Sequence, residues 1–90
     1  MPGDTSGELL ANDIRTLRFF AGDMSQGELG RRVGLTRQTI AAIEQGRYAP
    51  SLEVAFRIAF VFGKRIDEVF RWTPSAELAK AGPVAAQRRA

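Results

Sequence analysis

Cysteine and histidine are both absent from the 90-residue sequence, and each absence excludes a kind of chemistry. Without them the chain has no thiolate nucleophile, no imidazole base and none of the Cys/His ligand sets that hold zinc. Disulfide bonds are excluded as well. We therefore expect no catalytic residue, no metal site and no cofactor. The adjacent carboxylates of Asp67 and Glu68 do not change this, because neighbours on a short helix point apart.

Long hydrophobic runs are also missing. No apolar stretch approaches the roughly 20 residues that span a bilayer, and the N-terminus lacks the basic and apolar regions of a secretion signal. A chain of 90 residues can bury one compact core but not two. These features predict a single domain in the cytoplasm, without membrane association.

Positive charge exceeds negative charge, and it is unevenly distributed. The sequence has 13 Lys and Arg against 10 Asp and Glu, for a net charge of +3, and 11 of the 13 cations are Arg. Asp4, Glu8 and Asp13 lie in the first fourteen residues, which contain no cation, so the rest of the chain is more basic. A polyanionic partner and an ordinary Arg-rich composition both explain this charge.

The spacing of apolar residues predicts helices almost throughout residues 9 to 70. Three of the helices start at an N-cap residue, namely Ser25, Thr36 or Ser51, and glycines follow several helix ends. The five predicted helices cover residues 10–21, 26–33, 37–45, 52–62 and 66–70. No strand is predicted, because sustained apolar/polar alternation and hairpin dipeptides are missing. The expected fold class is therefore all-α.

Residues 26–45 have the spacing of a helix-turn-helix: a short helix, a turn at Gly34 and Leu35, and a second helix. Gly30 lies where the two helices would approach most closely, and a residue without a side chain permits that approach. Apolar residues occupy the inner faces of the motif, namely Leu29, Val33, Leu35, Ile40 and Ile43. This combination predicts two helices that cross steeply.

The second of these helices presents two different faces. Thr36, Ile40 and Ile43 cluster on the side that is expected to face the core. The opposite side carries amides and small methyl groups, with a guanidinium at its flank, supplied by Gln38, Ala41, Ala42, Gln45 and Arg37. Amides pair with adenine, Arg pairs with guanine, and Ala contacts the thymine methyl group. A merely solvated face would carry Glu and Lys, so this face is expected to read the major groove of DNA.

A family resemblance is carried by three stretches of the sequence. They are Ser25-Gln26-x-Glu28-Leu29-Gly30, Val33-Gly34-Leu35-Thr36-Arg37-Gln38-Thr39-Ile40 and Glu44-Gln45-Gly46-Arg47-Tyr48-x-Pro50-Ser51-Leu52-Glu53. Through them the chain resembles the phage-repressor-type (Xre-like) helix-turn-helix transcriptional regulators over about residues 12–72, and in particular the small single-domain bacterial members. The resemblance implies a five-helix lambda-repressor-like domain that binds operator DNA with its third helix in the major groove.

The resemblance also implies roles for individual residues. Positions that contact bases in the family correspond to Arg37, Gln38, Thr39, Ala41 and Ala42. Positions that contact phosphates correspond to Ser25, Gln26, Thr36, Arg47 and Tyr48. For Tyr48, packing against Pro50 is an equally good explanation. The family's ion pair between the first and third helices corresponds to Arg18 and Glu44, which is a scaffold contact and not part of the site.

Several residues depart from the family pattern. Gly27 is a second glycine in the second helix, at a cost of roughly 1 kcal/mol relative to Ala if it is exposed. Arg65 stands where the family usually has a small polar cap for its fifth helix. Phe20 and Phe60 occupy positions that are commonly charged or polar in the family.

The fourth helix has a wider apolar arc than one helix buries in a small monomer. Its expected core stripe is Leu52, Ala55, Ala59 and Phe62, and Val54, Phe60 and Val61 lie outside that stripe. We expect the excess to form a two-fold dimer interface with the fifth helix, made of Phe60, Val61, Val69, Phe70 and Trp72. The alternative is that the tail after residue 74 folds back over these side chains.

The sequence divides into an expected mobile N-terminal arm (1–8), a helix-turn-helix domain (9–72) and a largely disordered tail (73–90) with at most one helical turn after Ser75. The implied function is that of a sequence-specific DNA-binding transcriptional regulator, a repressor that acts as a homodimer on near-palindromic DNA in the nucleoid. An alternative from another class is an antitoxin-like interaction module whose tail binds a partner protein. An enzymatic function is not expected.

Overall fold

The computed structural model describes residues 9–85, in which helices and two short strands follow one another. Their order is β1 (Leu9–Asn12), α1 (Ile14–Phe20), α2 (Gln26–Val33), α3 (Arg37–Glu44), α4 (Leu52–Val61), α5 (Ile66–Val69), β2 (Phe70–Thr73) and α6 (Ala76–Ala81). The expected mobile arm at residues 1–8 and the last five residues of the expected tail lie outside this range. None of the helices within it is long and apolar enough to cross a membrane. The predicted all-α class is confirmed, with a small sheet added.

Three predicted caps set the starts of α2, α3 and α4. Ser25 Oγ accepts a hydrogen bond from the backbone N–H three positions further on at 2.9 Å, and Thr36 Oγ1 and Ser51 Oγ do the same at 3.1 and 3.2 Å. Each bond satisfies a backbone donor that has no partner within its own helix. α2 ends at Gly34, whose φ of +83° lies in the left-handed region that favours glycine. The turn before α3 therefore follows from local chemistry, as predicted.

Two further caps differ from expectation. Ser25-Gln26-Gly27-Glu28 has the sequence form of a capping box, in which Glu28 would return a hydrogen bond to the start of α2. Its carboxylate instead accepts from Arg32, one turn further along, at 2.8 Å. At the start of α5, where Arg65 replaces a small polar residue, the Glu68 carboxylate accepts from the backbone N–H of Arg65 at 2.8 Å. The cap of α5 is therefore supplied from inside the helix.

The core lies where α1 to α5 meet. Its buried members are Ile14, Leu29, Val33, Ile40, Ile43, Ile58, Ala59 and Val69, each with at most 2% of its surface exposed. The predicted inner faces of α2 and α3 are thereby confirmed, and Leu35 packs against the same cluster from the turn between them. Full burial of a side chain of this kind stabilises a fold by about 1.5–3 kcal/mol, so this cluster dominates the packing.

Two predicted core positions are wrong. Thr36 is exposed, because its hydroxyl caps α3 and does not face the apolar cluster. Leu52 is 69% exposed in the first turn of α4, while Ile58 in the same helix is fully buried. The pattern of α4 alone does not show which part of its wide apolar arc meets the core, since Val54 and Val61 also pack against it. The neighbouring helices decide how α4 is rotated.

The expectation of no strands is also wrong. β1 and β2 pair antiparallel, from Leu9 opposite Thr73 to Asn12 opposite Phe70. Leu10, predicted in the first helix, lies in β1, and Phe70, predicted in the fifth helix, lies in β2. Each strand has only four residues, which is too few to show a period of two, and the two strands come from distant parts of the chain. The sheet joins the two ends of the helical domain.

The chain continues after β2 into α6. Ser75 Oγ accepts from the backbone N–H of Leu78 at 3.1 Å, which forms the helical turn expected after Ser75. All six residues of α6 are exposed, and Gly82 and Pro83 follow it. A helix this short without a buried side chain has little to stabilise it. The disorder of the tail and the three domain limits stay predictions.

Candidate nucleic-acid interface

α3 presents the outer face that the sequence predicts. Ile40 and Ile43 point into the core, with 0% and 2% of their surface exposed. On the other side Gln38 is exposed, and Ala41 and Ala42 are half-buried beside it. Methyl groups next to a longer amide leave room for the edges of base pairs to approach the helix. The Gln38 amide is therefore accessible to a ligand and is not covered by its own subunit.

The first turn of α3 is held by two threonines. The hydroxyls of Thr36 and Thr39 lie 2.9 Å apart, and Thr36 Oγ1 also accepts the backbone N–H of Thr39 at 3.1 Å. Thr36 is exposed and Thr39 is half-buried. Because both hydroxyls are engaged with each other, they orient the helix start, and their predicted DNA contacts stay predictions.

A close approach at Gly30 sets the position of α3 relative to α2. A Cβ at Gly30 would lie only 2.5 Å from the carbonyl oxygen of Leu35 and 3.3 Å from the carbonyl carbon of Thr36. The backbone N–H of Leu35 also donates to the carbonyl of Gly30 at 2.8 Å. The contact predicted for Gly30 exists, but it is made with the turn that leads into α3 and not with the body of that helix.

An ion pair of low exposure ties α1 to the C-terminal end of α3. Arg18 Nε donates to Glu44 Oε2 at 2.7 Å and Arg18 Nη2 donates to Glu44 Oε1 at 3.0 Å, as the family resemblance implies. Arg18 Nη1 also donates to the carbonyl of Met24 at 2.7 Å. Gln26 Nε2 joins the group by donating to Glu44 Oε1 at 3.1 Å. Gln26, a predicted phosphate contact, is therefore held in one orientation by the scaffold.

An open cleft of about 580 Å³ lies between α1, the start of α2 and α3. Its lining residues are Arg15, Arg18, Ser25, Gln26, Arg37, Glu44 and Gln45. The structure thus brings together two predicted phosphate contacts, Ser25 and Gln26, with one predicted base contact, Arg37. Arg15 is an exposed cation that was not among the predicted site residues. Its spacing of three from Arg18 on one helix is the signal that could have found it.

The loop after α3 holds the remaining predicted contacts. Arg47 and Tyr48 are exposed, and neither of them lines the cleft. Tyr48 is 52% exposed and borders, together with Pro50, a small cavity of about 30 Å³. The two explanations of Tyr48 are therefore compatible, because a ring that is half covered near a proline still presents its other half to solvent. Its phosphate contact stays a prediction.

Comparison with known proteins places this architecture in a family. Residues 14–69, which are more than half of the chain and extend from the start of α1 to the end of α5, match a family model described as Helix-turn-helix. The chain belongs to this helix-turn-helix family. β1, β2 and α6 lie outside the matched residues.

Several curated proteins are similar to this family member. An uncharacterized HTH-type transcriptional regulator of Methanocaldococcus jannaschii is 48% identical over 48 residues, which are 53% of this chain and 73% of the relative. The regulator YgzD of Bacillus subtilis, also described as uncharacterized and HTH-type, is 46% identical over 61 residues, which are 68% and 91% of the two chains. The family and these relatives support DNA-binding transcription regulation, a function without catalysis.

The helix-turn-helix domain also carries an exposed apolar surface on α4. Phe60 is 85% exposed, and Phe56, which was not among the predicted surface residues, is 54% exposed. Both border a groove of about 900 Å³ between α4 and α5, with Val61 and Ile66 also in its lining. Because Phe60 is this exposed, residues 74–85 do not cover it. The described part of the tail therefore does not support the alternative in which the tail folds back over Phe60.

The other predicted dimer residues differ in their accessibility. Val69 has 0% of its surface exposed, so its assignment to a dimer interface is wrong, because a core side chain has no surface to offer a partner. Val61 and Phe70 are half-buried and pack against the core. Trp72 is 52% exposed and borders a separate apolar pocket with Leu78 of α6. Only part of the predicted set can therefore form a surface.

Proposed function

We propose that this chain is a sequence-specific transcriptional repressor that reads DNA with the outer face of α3. The observation that carries the proposal is the accessible Gln38 amide beside the methyl groups of Ala41 and Ala42, on a helix whose other side is anchored by the buried Ile40 and Ile43. A rigid helix with a fixed rotation is what base reading in the major groove requires. Thr39 lines the same surface.

Phosphate contacts would set the register of the protein on the duplex. We assign them to residues at both ends of α3 and at the start of α2, namely Ser25, Gln26, Thr36, Arg47 and Tyr48. Gln26 supports this assignment, because its hydrogen bond to Glu44 holds the amide in the lining of the cleft that also contains Arg15 and Arg37. Contacts of this kind carry no sequence information and weaken as salt rises.

Selection of bound duplexes from a random oligonucleotide pool tests the proposal directly. A sequence-specific regulator enriches one motif, and a two-fold dimer enriches that motif as a near-palindrome whose half-sites are about 34 Å apart along the duplex. A reporter gene placed behind the selected site then shows lower expression when the protein is present. A pool that remains unenriched at low salt would contradict sequence-specific binding.

Gln38→Ala is expected to weaken binding to the selected site by about 1–3 kcal/mol and to leave binding to scrambled duplexes almost unchanged. The amide is lost, but the exposed position contributes little to the fold. Titration of both duplexes with each protein at one salt concentration measures the difference. Equal losses on the two duplexes would show that Gln38 reads no base.

We further propose that the repressor is a homodimer whose two-fold interface includes Phe60 and the α4–α5 groove. Burial of the Phe60 side chain against a partner would remove its large exposed apolar surface from water. The exposed Phe60 ring and the groove lie on the same patch of the surface. A two-fold axis would therefore place the Phe60 ring of each subunit against the groove of its partner, which makes the interface self-complementary.

Phe60→Glu is expected to raise the dimer dissociation constant by at least about thirtyfold, because a carboxylate would be buried where an aromatic anchor contacts the partner. Sedimentation velocity over a range of concentrations measures the change. Phe20→Glu is the matched control: Phe20 is 76% exposed on α1 and is outside the α4–α5 groove. If both variants stay dimeric, the interface lies elsewhere.

A further inference from the structure

The side chain of Arg37, the first residue of α3, lies against α2. A Cβ at Gly27 would be 3.8 Å from Arg37 Cδ, so the aliphatic part of the arginine passes over the position where Gly27 has no side chain. Any residue longer than alanine at Gly27 would occupy this space. The glycine that departs from the family pattern thus provides the path along which Arg37 extends.

This path places Arg37 in the lining of the cleft between α1, the start of α2 and α3. Glu44 is the acidic residue of the lining, and it is already engaged by Arg18 at 2.7 Å and by Gln26 at 3.1 Å. Among residues 9–85, neither Arg15 nor Arg37 forms an ion pair. The cleft therefore contains two cations that no described carboxylate neutralises.

We infer that Arg37 binds a backbone phosphate of DNA together with Arg15, and that it does not read a base. The inference rests on the proposed DNA binding and deepens it. Two guanidinium groups on different helices, in one lining with the held Gln26 amide, suit a phosphodiester, because guanidinium forks bind phosphate oxygens bidentately.

The position of Arg37 in the family motif implies a base contact, but its packing favours the phosphate. To read a base, the guanidinium would have to leave Gly27 and extend beside Gln38 on the outer face of α3. The contact with α2 instead directs it to the side of the helix, where the duplex backbone passes when a helix enters the major groove. Base discrimination then depends on Gln38 and the two alanines.

The test compares Arg37→Ala, Arg15→Ala and Arg37→Lys with Gln38→Ala as the matched control from the same exposed helix turn. Each protein is titrated with the duplex selected from the random pool and with a scrambled duplex of equal length and composition, over a series of salt concentrations. The logarithm of affinity plotted against the logarithm of salt concentration gives the number of phosphate contacts.

Arg37→Ala and Arg15→Ala are each expected to weaken binding to both duplexes by the same factor of about tenfold at low salt and to reduce the salt slope by about 1. Arg37→Lys keeps the charge and is expected to retain the slope. Gln38→Ala weakens only the selected duplex and leaves the slope unchanged.

Two results would overturn the inference, and they have different meanings. A loss for Arg37→Ala that is confined to the selected duplex, with an unchanged salt slope, would make Arg37 a base reader while leaving the proposed function intact. Absence of binding by the wild-type protein to every duplex at low salt would overturn the proposed function together with this inference.

Discussion

Gly30→Ala is expected to destabilise the protein by about 2–3 kcal/mol. The new methyl group would lie 2.5 Å from the carbonyl oxygen of Leu35, and that neighbour is backbone, which cannot rotate away as a side chain can. α2 would have to move from the turn that leads into α3, and the hydrogen bond from Leu35 N–H to the Gly30 carbonyl would be strained with it. The gain in helix propensity, about 1 kcal/mol, is too small to compensate.

Urea denaturation of Gly30→Ala and Gly27→Ala side by side measures this effect. Gly27 lies in the same helix, but the nearest atoms to its new methyl group would be 3.8 Å away, at ordinary contact distance. Gly27→Ala should therefore raise the free energy of unfolding by about 0.5–1 kcal/mol through the smaller entropy of the unfolded chain. Similar changes in both variants would show that the close approach at Gly30 does not constrain the fold.

Glu44→Ala is expected to cost about 3 kcal/mol of folding stability. Only 7% of the Glu44 side chain and 16% of the Arg18 side chain are exposed, so removal of the carboxylate leaves a guanidinium that water barely reaches. Gln26 loses its acceptor in the same step. The loss of these bonds would also free α3 from α1, so we expect weaker DNA binding even where the variant remains folded.

The matched control is Glu53→Ala, which removes the acidic partner of an exposed pair. Glu53 Oε2 accepts from Arg57 Nη2 at 3.1 Å, one turn away on α4, with 77% of the Glu53 side chain exposed. Exposed pairs of this kind contribute less than about 1 kcal/mol, because water screens both charges. Thermal unfolding of the two variants measures the stability that each ion pair contributes. A loss of stability in Glu53→Ala as large as that in Glu44→Ala would contradict the expectation that the buried pair contributes more than the exposed one.

Local signals were sufficient for the helical parts of the site. Ser25 and Thr36 cap their helices because a hydroxyl beside a helix start finds a free N–H within three residues, and Gly34 ends α2 because its backbone is left-handed. The Arg18–Glu44 pair follows from the family resemblance, since its partners are 26 positions apart and no local rule connects them. Together these features position α3 so that the side chain of Gln38 is exposed to solvent.

Three features required the folded chain. The β1–β2 pairing joins four-residue segments that are too short for a pattern, and it is completed by a backbone bond from Asp13 N–H to the Val69 carbonyl at 2.9 Å. Val69 is expected in the dimer interface, yet it is fully buried once α5 packs on the core. The spacing of three from Arg18 puts Arg15 near that residue on α1, but only the meeting of three elements puts it in the cleft with Arg37.

The sequence alone determined the central parts of α1 to α5, the caps at Ser25, Thr36 and Ser51, and the family, because these depend on interactions between residues a few positions apart or on a contiguous motif. The tertiary structure decided which apolar residues are covered, where the chain ends pair and which cations share a cleft. Those outcomes depend on contacts between residues far apart in the chain. Hydrophobic burial drives these contacts, and because it is non-directional, a local sequence pattern does not show which distant residues will meet.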